Sequence, residues 1–341
     1  MSEMRDLMLR SLDRVVADTL DAKARAAADG GAAFPHKLWA ALEAQGMTAI
    51  GEIAEGDLGF ADAMALVQRA AFHTLPVPFG ETVLARRLLA RAGMDIPDGM
   101  LTVAPPGASD GVALTAGRLA GLAAGVPWGR QATHGVFAAG GDLVLADVSG
   151  AVTRQDASMA GEPRDTIDVT KAGVVASAHL AQAARIVAAE GALLRAVQMA
   201  GALARVLDLC LVWTNDRVQF GKPIAKFQAI QHLMAQLAAE VAAAGAAADL
   251  AVEAGVGSPD RFAIGVAKAR AGEAAGKGAA IAHQAFGAMG FTREHPLHYA
   301  TRRLWSWRDE FGAEAYWQAE IGRAVAERGA DGLWATLTER D

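Results

Sequence analysis

The chain has 341 residues, 52% hydrophobic, 21% charged and only 6% aromatic, with a net charge of −6. That length predicts two or three packed units, and the absence of a basic run excludes a nucleic-acid groove. The single Cys210 excludes an intrachain disulfide and fits a reducing compartment. Its apolar neighbours predict an inert core thiol. The N-terminus has no continuous apolar core of leader length. No stretch approaches ~20 apolar residues without charged or polar breaks. The expectation is a cytoplasmic protein with no membrane span.

Residues 1 to 97 read as a helical domain. Met4, Leu7, Met8, Leu12 and Val15 form a helical stripe. Phe34, Pro35 and His36 open a second helix that carries Leu38 and Leu42 and stops at Gly46. Ala61 to Phe72 and Gly80 to Arg91 are the next two. Between them, Pro76 and Pro78 hold Thr74 to Pro78 extended. From 98 to 175 short β-branched runs with Gly and Pro breaks predict a compact β domain, with a hairpin turn at Gly140, Gly141 and Asp142. From 176 to 341 the pattern is helical again. Three long segments, near 178–214, 225–255 and 259–289, each have a broad apolar face, as an antiparallel bundle requires. The connections are Gly221/Pro223 and Gly255 to Pro259. Shorter helices are expected near 296–306, 312–328 and 331–339.

The stretch from Arg217 to Gln231 (RVQFGKPIAKFQAIQ) is a corner between two long helices. Gly221 and Pro223 stop one helix and open the next. An arginine at such a rim suits an anionic group, because its planar fork cannot lose its charge. A second string, Gln284 to Leu297 (QAFGAMGFTREHPL), carries small residues that allow a close backbone approach. The GxxG in it has no preceding strand and no βαβ unit, so it is not a dinucleotide fingerprint. His295 and His298 are three apart but lack a third ligand nearby. They read as polar residues at a helix start rather than a metal pair.

These two strings resemble the flavin-binding signatures of the acyl-CoA dehydrogenase family. The first matches R-x-Q-F-G-x-P-x-x-x-F-Q-x-x-Q at every fixed position. The second matches Q-x-x-G-G-x-G-[FY]-T-x-E-x-P-L, with Ala288 in place of the second Gly of the pair. The resemblance implies a mainly α fold with a small β-barrel-like middle domain and a C-terminal four-helix bundle. It implies FAD, an acyl-CoA substrate oxidised to the 2-enoyl-CoA, and an electron-transfer flavoprotein as acceptor. Carried over, Arg217, Gln219, Phe220, Ile224 and Phe227, then Gln284, Ala285, Gly287 and Ala288, belong to a flavin site shared between subunits. Arg217 is expected to pair with the pyrophosphate. Val126, Pro127 and Trp128 fall where relatives place a segment against the flavin ring.

The family's reaction needs a carboxylate base. By the same resemblance, its usual slot holds Phe311, before Gly312, with Glu310 one residue earlier. The alternative slot, on the first long bundle helix, holds Gly191, with Glu190 adjacent. Glu310 is therefore the first candidate base and Glu190 the second, each one residue and about 100° of helix rotation out of place. Otherwise both read as ordinary solvated residues. Asp309 and Glu314 are weaker candidates. The segment from Leu304 to Gly312, the short β domain and the absent Glu resemble short subunits of heteromeric dehydrogenases of steroid and other bulky acyl-CoA thioesters. Three readings follow: an acyl-CoA dehydrogenase acting alone or as one subunit of an oligomer, a non-catalytic partner that supports FAD in an α2β2 assembly, or a related flavin oxidase or monooxygenase on the same fold.

Overall fold

The computed structural model describes residues 3–29, 33–50, 58–108, 111–256 and 258–338. Gly257 and residue 339, parts of two expected elements, lie outside them. The first helices are α1 (Glu3–Thr19), α2 (Ala22–Ala28), α3 (His36–Ala44), α4 (Phe60–Phe72) and α5 (Phe79–Arg91). Only part of the expected α1 stripe is core: Leu12, Val15 and Val16 are buried, whereas Met4 and Leu7 are exposed. The first turn of α1 is held to α4 by charge instead, Arg5 donating to Asp62 at 2.5 Å. Asp62 accepts from the Gly59 N–H at 2.9 Å, closing the start of α4 as a cap should. α5 is buried along most of its length, including Glu81 and Arg87, so charge is carried into the middle of the molecule.

The strands are β1 (Leu101–Val103), β2 (Ala113–Thr115), β3 (Arg118–Ala120), β4 (Leu122–Pro127), β5 (His134–Ala139), β6 (Asp142–Asp147), β7 (Val152–Arg154), β8 (Arg164–Asp168) and β9 (Gly173–His179). They form a four-stranded sheet, β1-β5-β6-β9, and a three-stranded sheet, β4-β8-β7, beside the β2-β3 hairpin. Ala139 pairs with Asp142 across Gly140 and Gly141, so the expected hairpin turn has two residues and Asp142 already belongs to β6. Alternation in β5 and β6 sorts the larger sheet's faces. Val136, Ala138, Leu143 and Leu145 join the helical core, while Phe137, Ala139, Val144 and Ala146 face the second sheet's core with Ala123, Val126 and Ile167. β9 runs past residue 175 to His179. Its Ala, Ser and His residues have weak strand propensity, and pairing along β6 extends it.

The bundle comprises α6 (Ala183–Asp216), the two-residue strands β10 (Val218–Gln219) and β11 (Lys222–Pro223), α7 (Gln228–Ala254), α8 (Arg261–Phe286), α9 (Leu297–Asp309) and α10 (Glu314–Thr338). α6 is its axis, with Val187, Leu193, Leu203 and Val206 all buried. A Cβ on Gly201 would lie 2.1 Å from the Gln68 carbonyl oxygen, so only glycine lets α4 cross α6 so closely. By length and apolar composition α6 and α7 could each cross a membrane, but α6 is broken by Arg185, Glu190, Arg195, Arg205 and Asp208 and is mostly taken up as core. α7 buries Met234, Leu237, Ala244, Ala248, Ala251 and Val252 but leaves Ala235, Ala238, Ala239, Ala242, Ala243 and Ala246 exposed.

Cys210 is buried without a disulfide partner, and burial pushes its thiol up to about 12. Alkylation at pH 8 is expected to leave it unmodified in the native protein and to modify it after denaturation. Stoichiometric native labelling, read by mass spectrometry, would contradict this placement, since only the thiolate reacts.

Candidate functional site

α6 ends at Asp216, and Arg217 caps it, its N–H donating to the Trp213 carbonyl at 2.9 Å. β10 and β11 then pair antiparallel, Val218 with Pro223 and Gln219 with Lys222. The two turn residues, Phe220 (φ 52°) and Gly221 (φ 79°), are both left-handed, as a tight hairpin demands. For Phe220 that backbone is strained, and its ring is 92% exposed. It meets Phe227 edge-on at 6.1 Å. The Ile224 N–H returns to the Arg217 carbonyl at 2.8 Å, which holds the corner shut. The Arg217 guanidinium lies 5.8 Å over the Trp213 ring and has no carboxylate partner among the described residues.

The second string is brought to this corner by stacking. Trp213 stacks on Phe286 at 4.9 Å, and His295 packs against both rings. Gln284, Gly287 and Ala288 are exposed, and Gly287 has open space where a Cβ would point. Ala285 is buried, so its side chain faces the core rather than a shared surface. His295 and His298 both stand at the start of α9: His295 Nδ1 accepts from the Leu297 N–H at 3.2 Å, while His298, in the first turn, is buried with neither ring nitrogen hydrogen-bonded.

The two positions to which the resemblance assigns a base, 311 and 191, meet in the interior. A Cβ on Gly191 would fall 2.2 Å from the Phe311 ring, so Phe311 fills the space that Gly191 leaves. Phe311 itself has φ 55°. Three anchors hold this strained turn. The buried Lys268 ammonium donates to the carbonyls of Arg308 (2.6 Å) and Gly312 (2.8 Å). Trp317 Nε1 donates to the Phe311 carbonyl at 3.0 Å. Glu310, at the end of α9, is gripped by Arg164 and Arg195, each at 2.7 Å. Glu310 is thus no solvated residue. Nor is Glu190, which is buried between Arg87 (2.9 Å) and Arg91 (3.0 Å). Glu314 pairs with Arg308 at 2.7 Å, and Asp309 is exposed at the helix end.

Glu310 belongs to an alternating chain of charges. Arg195 also holds Glu81 at 2.8 Å, Arg164 also reaches Glu162 at 3.2 Å, and Arg303 holds Glu162 at 2.8 Å. The chain ties α5, α6, the β domain and α9 together. Burial opposes the charge on Arg164, but Glu310 and Glu162 more than offset it and raise its pKa. Burial likewise works against the Glu162 carboxylate, yet Arg303, Arg164 and Arg195 hold it below the usual range. The space left beside Trp128, Glu162 and Arg303, and beside Glu81, Gln198 and Trp307, amounts to cavities of about 20 Å³ each, little more than one water. Sequence reasoning misses Arg195 and the other network arginines. A lone Arg inside the run Ala192-Leu193-Leu194-Arg195-Ala196-Val197 is the one local signal that points to it.

Residues 181–326 match the model of the acyl-CoA dehydrogenase C-terminal domain. The chain is 30% identical over 296 residues to the acyl-CoA dehydrogenase IpdE2 of Mycobacterium tuberculosis, covering 83% of this chain and 84% of that protein. This chain belongs to the acyl-CoA dehydrogenase family. The IpdE2 of Mycolicibacterium smegmatis is 29% identical over 313 residues, 89% of this chain and 93% of the relative. Solved structures share the fold. A steroid acyl-CoA dehydrogenase, Tcur3481-Tcur3483, superposes with a TM-score of 0.84 at 22% identity over 95% of this chain and 98% of that one. The ChsE4-ChsE5 complex of Mycobacterium tuberculosis gives 0.82 at 19%, over 97% and 99%. Butyryl-CoA dehydrogenase of Megasphaera elsdenii gives 0.84 at 17%, over 96% and 99%.

Against the family's cofactor, two regions of this chain behave differently. The outer corner suits a flavin diphosphate: Arg217 is an exposed guanidinium without a carboxylate partner among the described residues, over the Trp213 ring, and the string stacked on that ring carries a glycine open to approach. The interior is filled differently. Trp128, with φ 54°, is buried against Phe34, and the cavities beside it are about 20 Å³ each, too small by themselves for a flat three-ring system.

Proposed function

We propose that this acyl-CoA dehydrogenase chain is the supporting member of a heteromeric enzyme and completes the flavin site of a second, base-bearing chain. The observation that carries this reading is the filled base position: Phe311 against Gly191, with both neighbouring carboxylates tied to two arginines each. A general base must reach the α proton with a free carboxylate, and Glu310 and Glu190 offer none. Arg217, Gln219, Phe220, Gln284 and Gly287 would meet the FAD of the partner. The FAD would supply hydride acceptance in oxidation of an acyl-CoA to its 2-enoyl product. The exposed alanine face of α7 suits close helix packing in such an assembly. Two of the similar structures are of named pairs of chains, Tcur3481-Tcur3483 and ChsE4-ChsE5. An electron-transfer flavoprotein would take the electrons, and the assembly would be cytoplasmic, in keeping with the lone reduced cysteine.

The test is flavin bleaching by a panel of acyl-CoA thioesters, including bulky ones, for the chain alone and with a co-expressed partner. Reduction only in the complex, unaffected by Glu310→Gln and Glu190→Gln when the fold is retained, is expected. Full reduction of the chain alone, abolished by Glu310→Gln with FAD still bound, would overturn the proposal.

A further inference from the structure

α2, the end of α4, α6 and the start of α9 converge on a polar cavity of about 50 Å³, lined by Arg25, His73, Thr74, Arg205, Pro296 and Tyr299. Its charges do not balance. Arg205 is paired with Asp208 at 2.7 Å. Of the neighbouring groups, Arg302 is paired with Asp29 (3.0 Å) and Arg303 with Glu162 (2.8 Å). His73 and Arg69 share Asp13 at 2.7 and 2.6 Å. Arg25 alone of this group has no carboxylate partner among the described residues. Its Nη1 caps the end of α4, donating to the His73 carbonyl (2.7 Å), the Thr74 carbonyl (3.3 Å) and Thr74 Oγ1 (2.8 Å). Its Nε and Nη2 make no hydrogen bond among the described residues, and neither does the Tyr299 hydroxyl.

We infer that this pocket binds one phosphate-type oxyanion, clasped by Arg25 and Arg205 and met by the Tyr299 hydroxyl. The remaining edge of the Arg25 fork has the geometry that pairs with phosphate oxygens. The first turn of the 13-residue α9, where Pro296 lines the cavity, adds its positive end. Burial, with repulsion from Arg303 and Arg205, pulls the Arg25 guanidinium down to about 10, and an anion between the two arginines relieves that repulsion. The side chain of Arg205 is one-third exposed, so the pocket has access from solvent. The anion is either free phosphate or a phosphate monoester such as the one on the ribose of coenzyme A.

The protein as purified, with its partner chain where the two copurify, is titrated by calorimetry with inorganic phosphate, coenzyme A and dephospho-coenzyme A at constant ionic strength. Saturable binding of one phosphate group is expected, weakened at least ~10-fold by Arg205→Gln and by Arg25→Gln, as loss of a charge-assisted pair implies. Arg205→Gln is the deciding variant if loss of the α4 cap unfolds Arg25→Gln. Binding of coenzyme A but not of its dephospho form would assign the ribose phosphate as the source, and saturation by inorganic phosphate alone would assign the free anion. A response that never saturates, or one unchanged in Arg205→Gln, would overturn the site.

Discussion

Replacing Arg195 with methionine is expected to destabilise the fold by about 3–5 kcal/mol, the usual result of removing one partner from a buried ion pair. Arg195 is fully buried and stands between Glu81 and Glu310. Its loss strands the buried Glu81 and leaves Glu310 to Arg164 alone. Chemical denaturation measures the effect, and Glu81→Gln in the same chain should restore part of it by removing the stranded charge. A loss below about 1 kcal/mol, the scale of a surface pair, would show that the network does not hold the interior closed. The same network sets an acid limit. Glu162 has its pKa depressed in the folded state despite burial. It therefore contributes stability that is present above its unfolded value, near 4.5, and is lost as pH falls through the folded value. The acid limb of the stability curve should flatten in Glu162→Gln. An unchanged limb would place the acid sensitivity elsewhere.

Arg217→Ala is expected to weaken flavin retention in the assembled enzyme by about 1.5–3 kcal/mol, the worth of a charge-assisted hydrogen bond, or roughly 10- to 150-fold in affinity. The fold should be unaffected, because the side chain is exposed and rests only on the Trp213 ring. Flavin occupancy after dialysis, together with an unchanged circular dichroism spectrum, separates the two effects. Equal occupancy in mutant and wild type would remove Arg217 from the flavin site. Wild-type occupancy in the isolated chain would contradict the proposed division of labour.

The outer corner is legible in the sequence because its signals are local. Arg217, Gln219, Phe220, Gly221 and Pro223 lie within seven residues, and a tight turn between helices needs its special residues at fixed spacing. The hairpin at Gly140 and Gly141 and the long apolar helices are legible for the same reason. Ala285 is the exception within the second string: spacing puts it beside Gln284, but the helix turns it into the core. The state of the carboxylates is not legible. Glu310 and Glu190 each look like a polar residue on a helix surface, and nothing nearby in sequence tells of Arg164, 146 residues from Glu310, or of Arg87, 103 residues from Glu190. Burial of a charge depends on which distant groups surround it. By itself, then, the sequence determined the helical and β elements, the family signatures and the identity of Phe311 and Gly191 at the positions where the resemblance expects a base. Only the tertiary structure decided that Phe311 fills the space at Gly191, and that three arginines and three glutamates close the interior, because ion pairing and packing are long-range contacts that local pattern does not encode.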